Sequence, residues 1–361
     1  MSSTVSGKTD PNTSVIFGCG KTMKNRFMLA PLTNKQSHED GTLSDDEFHW
    51  LTMRAKGQFG LVMTCATSIQ DGGRCWPGQL GIHSDAHIEG HKRLTQEIQK
   101  YGSLAVVQLH HGGLRSPEEL TGTQPVSASD IEKYNARGLT TKEVGQLRDD
   151  FIAGAIRAQK AGYDGVEAHG AHGYILSQFL SKETNHREDQ YGGSLENRSR
   201  LLFEIVNGIR STCGPSFLLG VRLSPERFGM DIFEIKTVSQ QLIDEGNIDF
   251  LDLSLWDVFK SSEVSEQSLL EFTTDLDKKN VKVTVAGKIN GGEEVKKVLD
   301  AGVDFVTIGK SAILHHDFPD KVIKNPEFIP VQTPVSEAYL SNEGLGSKFV
   351  EYMKAWDGFV G

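Results

Sequence analysis

The chain has 361 residues, with 38 basic side chains against 48 acidic ones and a formal net charge of −10. Such an acidic balance disfavours a protein that must neutralise a polyphosphate backbone, so no nucleic-acid partner is expected. Hydrophobic residues at 37% and charged residues at 24% suit a globular chain with a sizeable core, and no run approaches the roughly 18 apolar residues of a membrane helix, so no membrane partner is expected.

The leading MSSTVSGKTD is polar and lacks the apolar stretch of an export signal. Cys19, Cys65, Cys75 and Cys213 form no C-x-x-C pair, which argues against structural zinc or an iron–sulfur cluster and points to a reducing cytoplasm. Short apolar, β-branched runs then alternate with longer amphipathic stretches. Strands are expected at 26–30, 60–65, 104–109, 165–169, 217–223, 250–254, 281–286 and 305–309. Helices are expected at 45–56, 87–100, 141–161, 195–210, 235–245 and 293–301. Most strands are apolar on consecutive residues, as parallel strands covered on both faces are. The phrases AGYDGVE and DAGVDFVTIG each end a helix at Gly and run into a strand.

Eight strands separated by helices match a (β/α)8 TIM barrel, which needs about 250 residues. An open doubly wound sheet is the competitor, but no G-x-G-x-x-G joins an early strand to a helix. The surplus length falls in an N-terminal lead-in, in an elaborated loop at 112–140 between the third and fourth strands, and in a tail. The expected architecture is α/β: a single barrel domain over 1–361, with its core at about 14–320 and a C-terminal tail at 321–361.

Barrel chemistry gathers at the C-terminal ends of the strands. Pro31, Leu32 and Thr33 follow the first strand, Ala66 ends the second, and Gln108, His110 and His111 end the third. His169, His172 and Tyr174 follow the fourth, and Arg222 lies within the fifth. An arginine inside an apolar strand is costly unless paired with an anion; the plainer reading is a salt bridge to a neighbouring carboxylate. Gly287 and Gly309 end the last two strands and Lys310 follows, which matches the phosphate site common in barrels, although a glycine after a strand is often only turn chemistry. The histidines admit three readings: a polar turn bonded to backbone carbonyls, a zinc site drawing on His110, His111, His169 and His172, or two imidazoles that polarise a carbonyl beside a phenol acting as proton donor. Spacing alone leaves the last two open.

The run HGAHGYILSQFLSKETNHREDQYGGSLENRSRLLFEIV at 169–206 resembles the hallmark segment of the Old Yellow Enzyme family of FMN-dependent oxidoreductases. So do MKNRFMLAPLTN, VVQLHHGG, VRLS and FVTIGKSAIL, in the same order along roughly residues 14 to 320. The resemblance implies a barrel with non-covalent FMN at its C-terminal face, reduced by NADPH or NADH as a transient partner. Pro31, Leu32 and Thr33 would lie against the isoalloxazine, Ala66 and Gln108 beside it, and Arg222 near its N1 and O2. Gly287, Gly309 and Lys310 would hold the phosphate. His169 and His172 would grip the substrate carbonyl, with His110 lining the pocket. Reduced FMN would then pass hydride to the β-carbon of an activated alkene while Tyr174 protonates the α-carbon. Lys310 stands where the family usually has Arg, Leu114 precedes an Arg115 displaced by one position, and His110 and Cys65 replace a common tryptophan and acid. Nitroester or quinone reduction on the same barrel is the nearest alternative, and a metal-dependent hydrolase barrel is the alternative from another class.

Overall fold

Strands apolar on consecutive residues need cover on both faces. The computed structural model, which describes residues 9–264 and 266–361, provides it by closing eight of them into a parallel barrel. The first eight residues of the polar N-terminus lie outside the described residues. In order the barrel strands are β1 (Phe27–Leu29), β2 (Leu61–Ser68), β3 (Leu104–His110), β4 (Gly165–Gly170), β5 (Leu218–Leu223), β6 (Phe250–Ser254), β7 (Lys282–Ala286) and β8 (Phe305–Ile308). Closure is made by β8 on β1, where Val306 stands beside Phe27 and Ile308 beside Leu29. Every expected strand is present, within three residues at either end.

The helices follow their capping residues. Ser44 accepts from the Glu47 N–H and starts Asp45–Lys56, and Thr140 with Glu143 forms a capping box on Thr141–Lys160. Ile232–Glu245 begins three residues before the expected 235 because the Asp231 carboxylate accepts from the N–H groups of Phe233 and Glu234. Among the described helices none is long and apolar enough to cross a membrane.

Three features position the site. Before β1, a hairpin of Val15–Ile16 on Thr22–Met23 plugs the lower end of the barrel, its Phe17 ring 6.0 Å from Phe250 and 5.8 Å from Phe305. The interior there is so full that a Cβ on Gly220 would come within 2.1 Å of the Phe250 ring. Within β2 the register shifts between Met63 and Ala66, which brings Ala66 opposite Gln108. The tail, finally, folds back over the barrel: its helices Glu337–Asn342 and Ser347–Lys354 anchor through Phe349, edge-on to Trp50 at 4.8 Å. Val335 and Phe359 are joined by a backbone hydrogen bond of 3.0 Å.

Candidate active site

A cavity of about 600 Å³ opens at the C-terminal ends of the strands. Pro31, Leu32 and Thr33 after β1, His172 after β4 and Lys310 after β8 line it. The tail supplies the opposite wall with Tyr352, Met353, Trp356 and Phe359. Ala66, Gln108, Arg222, His110, His169 and Tyr174 are not among its lining residues, but His169 meets the lining residue His172 at 5.1 Å and Tyr174 meets the lining residue Arg115 at 4.7 Å.

The turn after β4 explains how three functional side chains meet. His172 and Gly173 both take left-handed backbone, φ 62° and 71°, so the chain reverses at once. The His169 ring then lies 5.1 Å from His172 and 5.2 Å from Tyr174, and the His110 ring of β3 lies 4.4 Å from Tyr174. Tautomers follow from the neighbours. The Ala171 N–H donates to His169 Nδ1 at 3.3 Å, which leaves the proton on Nε2. Gln79 Nε2 stands 3.1 Å from His110 Nδ1 and assigns His110 the same form; its Nε2 is buried and makes no hydrogen bond among the described residues. His172 Nε2 reaches Ser254 Oγ at 2.8 Å. Arg115 donates to the His172 carbonyl at 2.7 Å and sits 4.7 Å above the Tyr174 ring.

Electrostatics keep these groups neutral. Burial holds the His172 imidazole down at about 3, with Arg222 and Arg115 adding to the effect, and holds His169 and His110 well below their usual value. Burial also pushes the Tyr174 phenol up to about 12. The cluster can therefore donate hydrogen bonds from neutral imidazoles and a proton from a phenol, with no charge of its own at neutral pH.

Below it lies a second polar layer. Gln108 Nε2 donates to Glu167 Oε1 at 2.6 Å, and Arg222 Nε lies 3.1 Å from Asp252 Oδ2, close enough for an ion pair but not aligned as a hydrogen bond. The salt bridge that was the plainer reading of Arg222 thus exists. Asp252 sits beside Arg222 in the β5–β6 register and His169 on its other side.

This chemistry has a consequence for stability. His91, His110, His111, His169 and His172 are all held below the usual value by burial, so these five bind protons more readily unfolded than folded. Glu47, Glu167 and Asp252, pushed upward by burial, act in the opposite sense but are fewer. Melting temperature should therefore fall as pH drops from about 6.5 toward 4, a trend that a thermal scan across buffers checks directly; a flat profile there would show the imidazoles to be solvated.

The four histidines of the zinc reading do not converge. His111 turns away to pack on Gly73 and accepts from the Gly113 N–H. Among the described residues the group with ligand atoms close enough for a metal is His316, Asp317 and Glu343, away from the cavity lining. Gly287, with φ 148°, lets the Trp256–Asp257 backbone approach to within 3.0 Å of where a side chain would start. Gly309 caps Lys310–Leu314, and Lys310 donates to Thr333 Oγ1 at 3.2 Å. Sequence reasoning missed Gln79, Glu167, Asp252, Ser254 and the tail residues. Glu167 in GVEAHG and Asp252 in FLDLS were detectable as lone acids inside apolar strands; the others carry no such mark.

Comparison with known proteins agrees with the barrel fold. The family model of the NADH:flavin oxidoreductase / NADH oxidase family matches residues 15–327. A probable NADH-dependent flavin oxidoreductase of Bacillus subtilis is 35% identical over 86% of this chain and 87% of its own. An NADPH dehydrogenase of Bacillus pumilus is 34% identical over 93% of this chain and 96% of its own. Among solved structures, an old yellow enzyme homologue of Zymomonas mobilis superposes with a TM-score of 0.79 at 28% identity, covering 95% of this chain and 99% of its own.

Proposed function

The chain belongs to the NADH:flavin oxidoreductase / NADH oxidase family, that of the Old Yellow Enzymes, and from that premise we propose that it reduces activated alkenes such as α,β-unsaturated carbonyl compounds. It is an FMN-dependent NAD(P)H oxidoreductase that binds FMN non-covalently. The donor set fits this cofactor. Arg222 carries an unaligned Nε, Gln108 has an N–H left after serving Glu167, and Lys310 stands in the cavity wall. Pro31, Leu32, Thr33, Ala66, Gln108 and Arg222 would hold the ring system, and Gly287, Gly309 and Lys310 the phosphate. Bound FMN supplies the hydride, taken from NADH or NADPH.

The remaining work falls to the chain's own side chains. His169 and His172 receive the substrate's carbonyl oxygen and draw charge toward it, an interaction that counts only as far as it strengthens in the transition state. Tyr174 gives its hydroxyl proton to the α-carbon, and His110 Nε2–H supplies a further donor at the back of the pocket. The observation that carries the reading is the placement of the Tyr174 phenol, its ring 4.4 Å from His110 and 5.2 Å from His169, beside imidazoles that burial holds neutral. Quinone reduction needs no proton delivered to carbon and leaves that phenol without a task. The test is a single turnover: holoenzyme reduced anaerobically by NADPH, then mixed with a cyclic enone, should reoxidise and yield the saturated ketone in equal amount. Reoxidation by quinones or nitroesters with the enone untouched would replace this reading.

Lys310 offers a narrower check. Lys310→Arg should tighten FMN several-fold, because a guanidinium fork bonds two phosphate oxygens where an ammonium is one point charge. Fluorimetric titration reads it, and an unchanged or weaker affinity would remove Lys310 from the phosphate.

A further inference from the structure

Glu167 has no part in the chemistry above, yet its carboxyl is fully enclosed inside the barrel. It lies two residues before His169 and so on the same, inward face of β4. Its Oε1 accepts from Gln108 Nε2 at 2.6 Å, while Oε2 makes no hydrogen bond among the described residues. The charged and titratable groups acting on it are Arg222 of β5 and Asp252 of β6, with Thr307 of β8 beside Asp252 and the neutral imidazole of His169 two residues further along β4. One guanidinium thus shares a dry compartment with two carboxyls. It can match the charge of only one, and the 3.1 Å pair with Asp252 takes that match. Glu167 is left as the group that must carry a proton.

We propose that Glu167 is a positioning residue for the cofactor: its carboxyl fixes the Gln108 amide and, by taking or losing one proton opposite Arg222, sets how readily the site accepts negative charge on the bound ring. This rests on the assignment of Gln108 and Arg222 to that ring. Hydride from NAD(P)H brings two electrons and one proton, so the cofactor gains one net negative charge and the nicotinamide leaves oxidised. While Glu167 holds its own proton it adds no opposing charge. Once ionised, it must take a proton from water, leaving hydroxide, or stand as a second negative charge close to the first. Burial, together with Asp252, pushes its titration up to about 8. The sign follows: Glu167 is silent below that pH and opposes reduction above it.

Wild-type and Glu167→Gln holoenzymes, equilibrated with a redox dye between pH 6.5 and 9.5, test this. Gln accepts the same hydrogen bond from Gln108 but cannot ionise, and the pH dependence of hydride uptake itself is common to both proteins and cancels. The two should hold equal fractions of reduced FMN up to pH 7. At pH 9.5 the variant should hold on the order of tenfold more at the same dye poise. Coincident curves throughout, or a difference already present at pH 6.5, would overturn the proposal. If the variant does not fold, the wild-type curve alone decides, because it must show an extra bend near pH 8. Gln108→Ala separates the two levels of the argument. Unchanged FMN affinity in that variant would remove Gln108 from the cofactor, whereas weakened affinity with coincident Glu167→Gln curves would sink only the role of Glu167.

Discussion

Tyr174→Phe should leave reduction of the enzyme by NADPH near wild type and slow its reoxidation by a simple enone by about 10²–10⁴-fold, the range of ordinary general-acid catalysis. The asymmetry comes from where the hydroxyl is needed. Nothing in the nicotinamide half-reaction delivers a proton to carbon, whereas the alkene half-reaction requires one at the α-position. Phenylalanine keeps the ring that His110 meets edge-on at 4.4 Å and that Arg115 covers at 4.7 Å, so packing survives and the transferable proton alone is lost. Quinones should be reduced almost as before. Nitroalkenes should be slowed less than enones, because their nitronate can leave and take its proton from water. Stopped-flow traces of both half-reactions decide the matter. Equal slowing of the two would make Tyr174 a packing residue whose loss disturbs the cavity, and no slowing with enones would assign the proton to another acid.

The parts of this molecule that were legible in its sequence are those whose physics is local. Consecutive apolar residues marked most of the eight barrel strands, since a strand buried on both faces has few other ways to look. His169, His172 and Tyr174 were legible as a group, though not in their roles, because one tight turn holds them together. Residues brought in from a distance were not. Gln79 sets the His110 tautomer from a loop 31 positions away, and Trp356 and Phe359 reach the cavity only because the tail folds back on Trp50. The hairpin at Val15–Met23 was missed for another reason: two-residue strands are too short to show a period. Glu167 and Asp252 were visible but unread, each a lone acid inside an apolar strand, which is the pattern that had singled out Arg222.

His169 and His172 should not respond alike to substitution, although both are expected to hold the same oxygen. A phenolate bound in the cavity mimics the enolate that develops on the substrate, so each lost N–H should cost roughly 1.5–3 kcal/mol, or one to two decades in the affinity of a phenolic inhibitor. His169→Ala removes a donor from regular strand geometry and should show that loss alone. His172 is different, because its backbone is left-handed and its ring reaches Ser254 across the barrel mouth. Asparagine is among the few side chains at ease in that conformation, and it keeps an N–H to offer. His172→Asn should therefore retain most of the phenol affinity that His172→Ala loses. Alanine at 172 should in addition lower the melting temperature, through the strained turn. The pH profile adds an independent constraint. With His172 held down at about 3 and His169 well below its usual value, neither imidazole gains a proton between pH 5 and 8. Phenol affinity should accordingly rise with pH along the inhibitor's own ionisation and show no break near 6.5. A maximum near pH 6 would instead mean that a protonated imidazole binds the phenolate, and the neutral-donor account of this site would have to be abandoned.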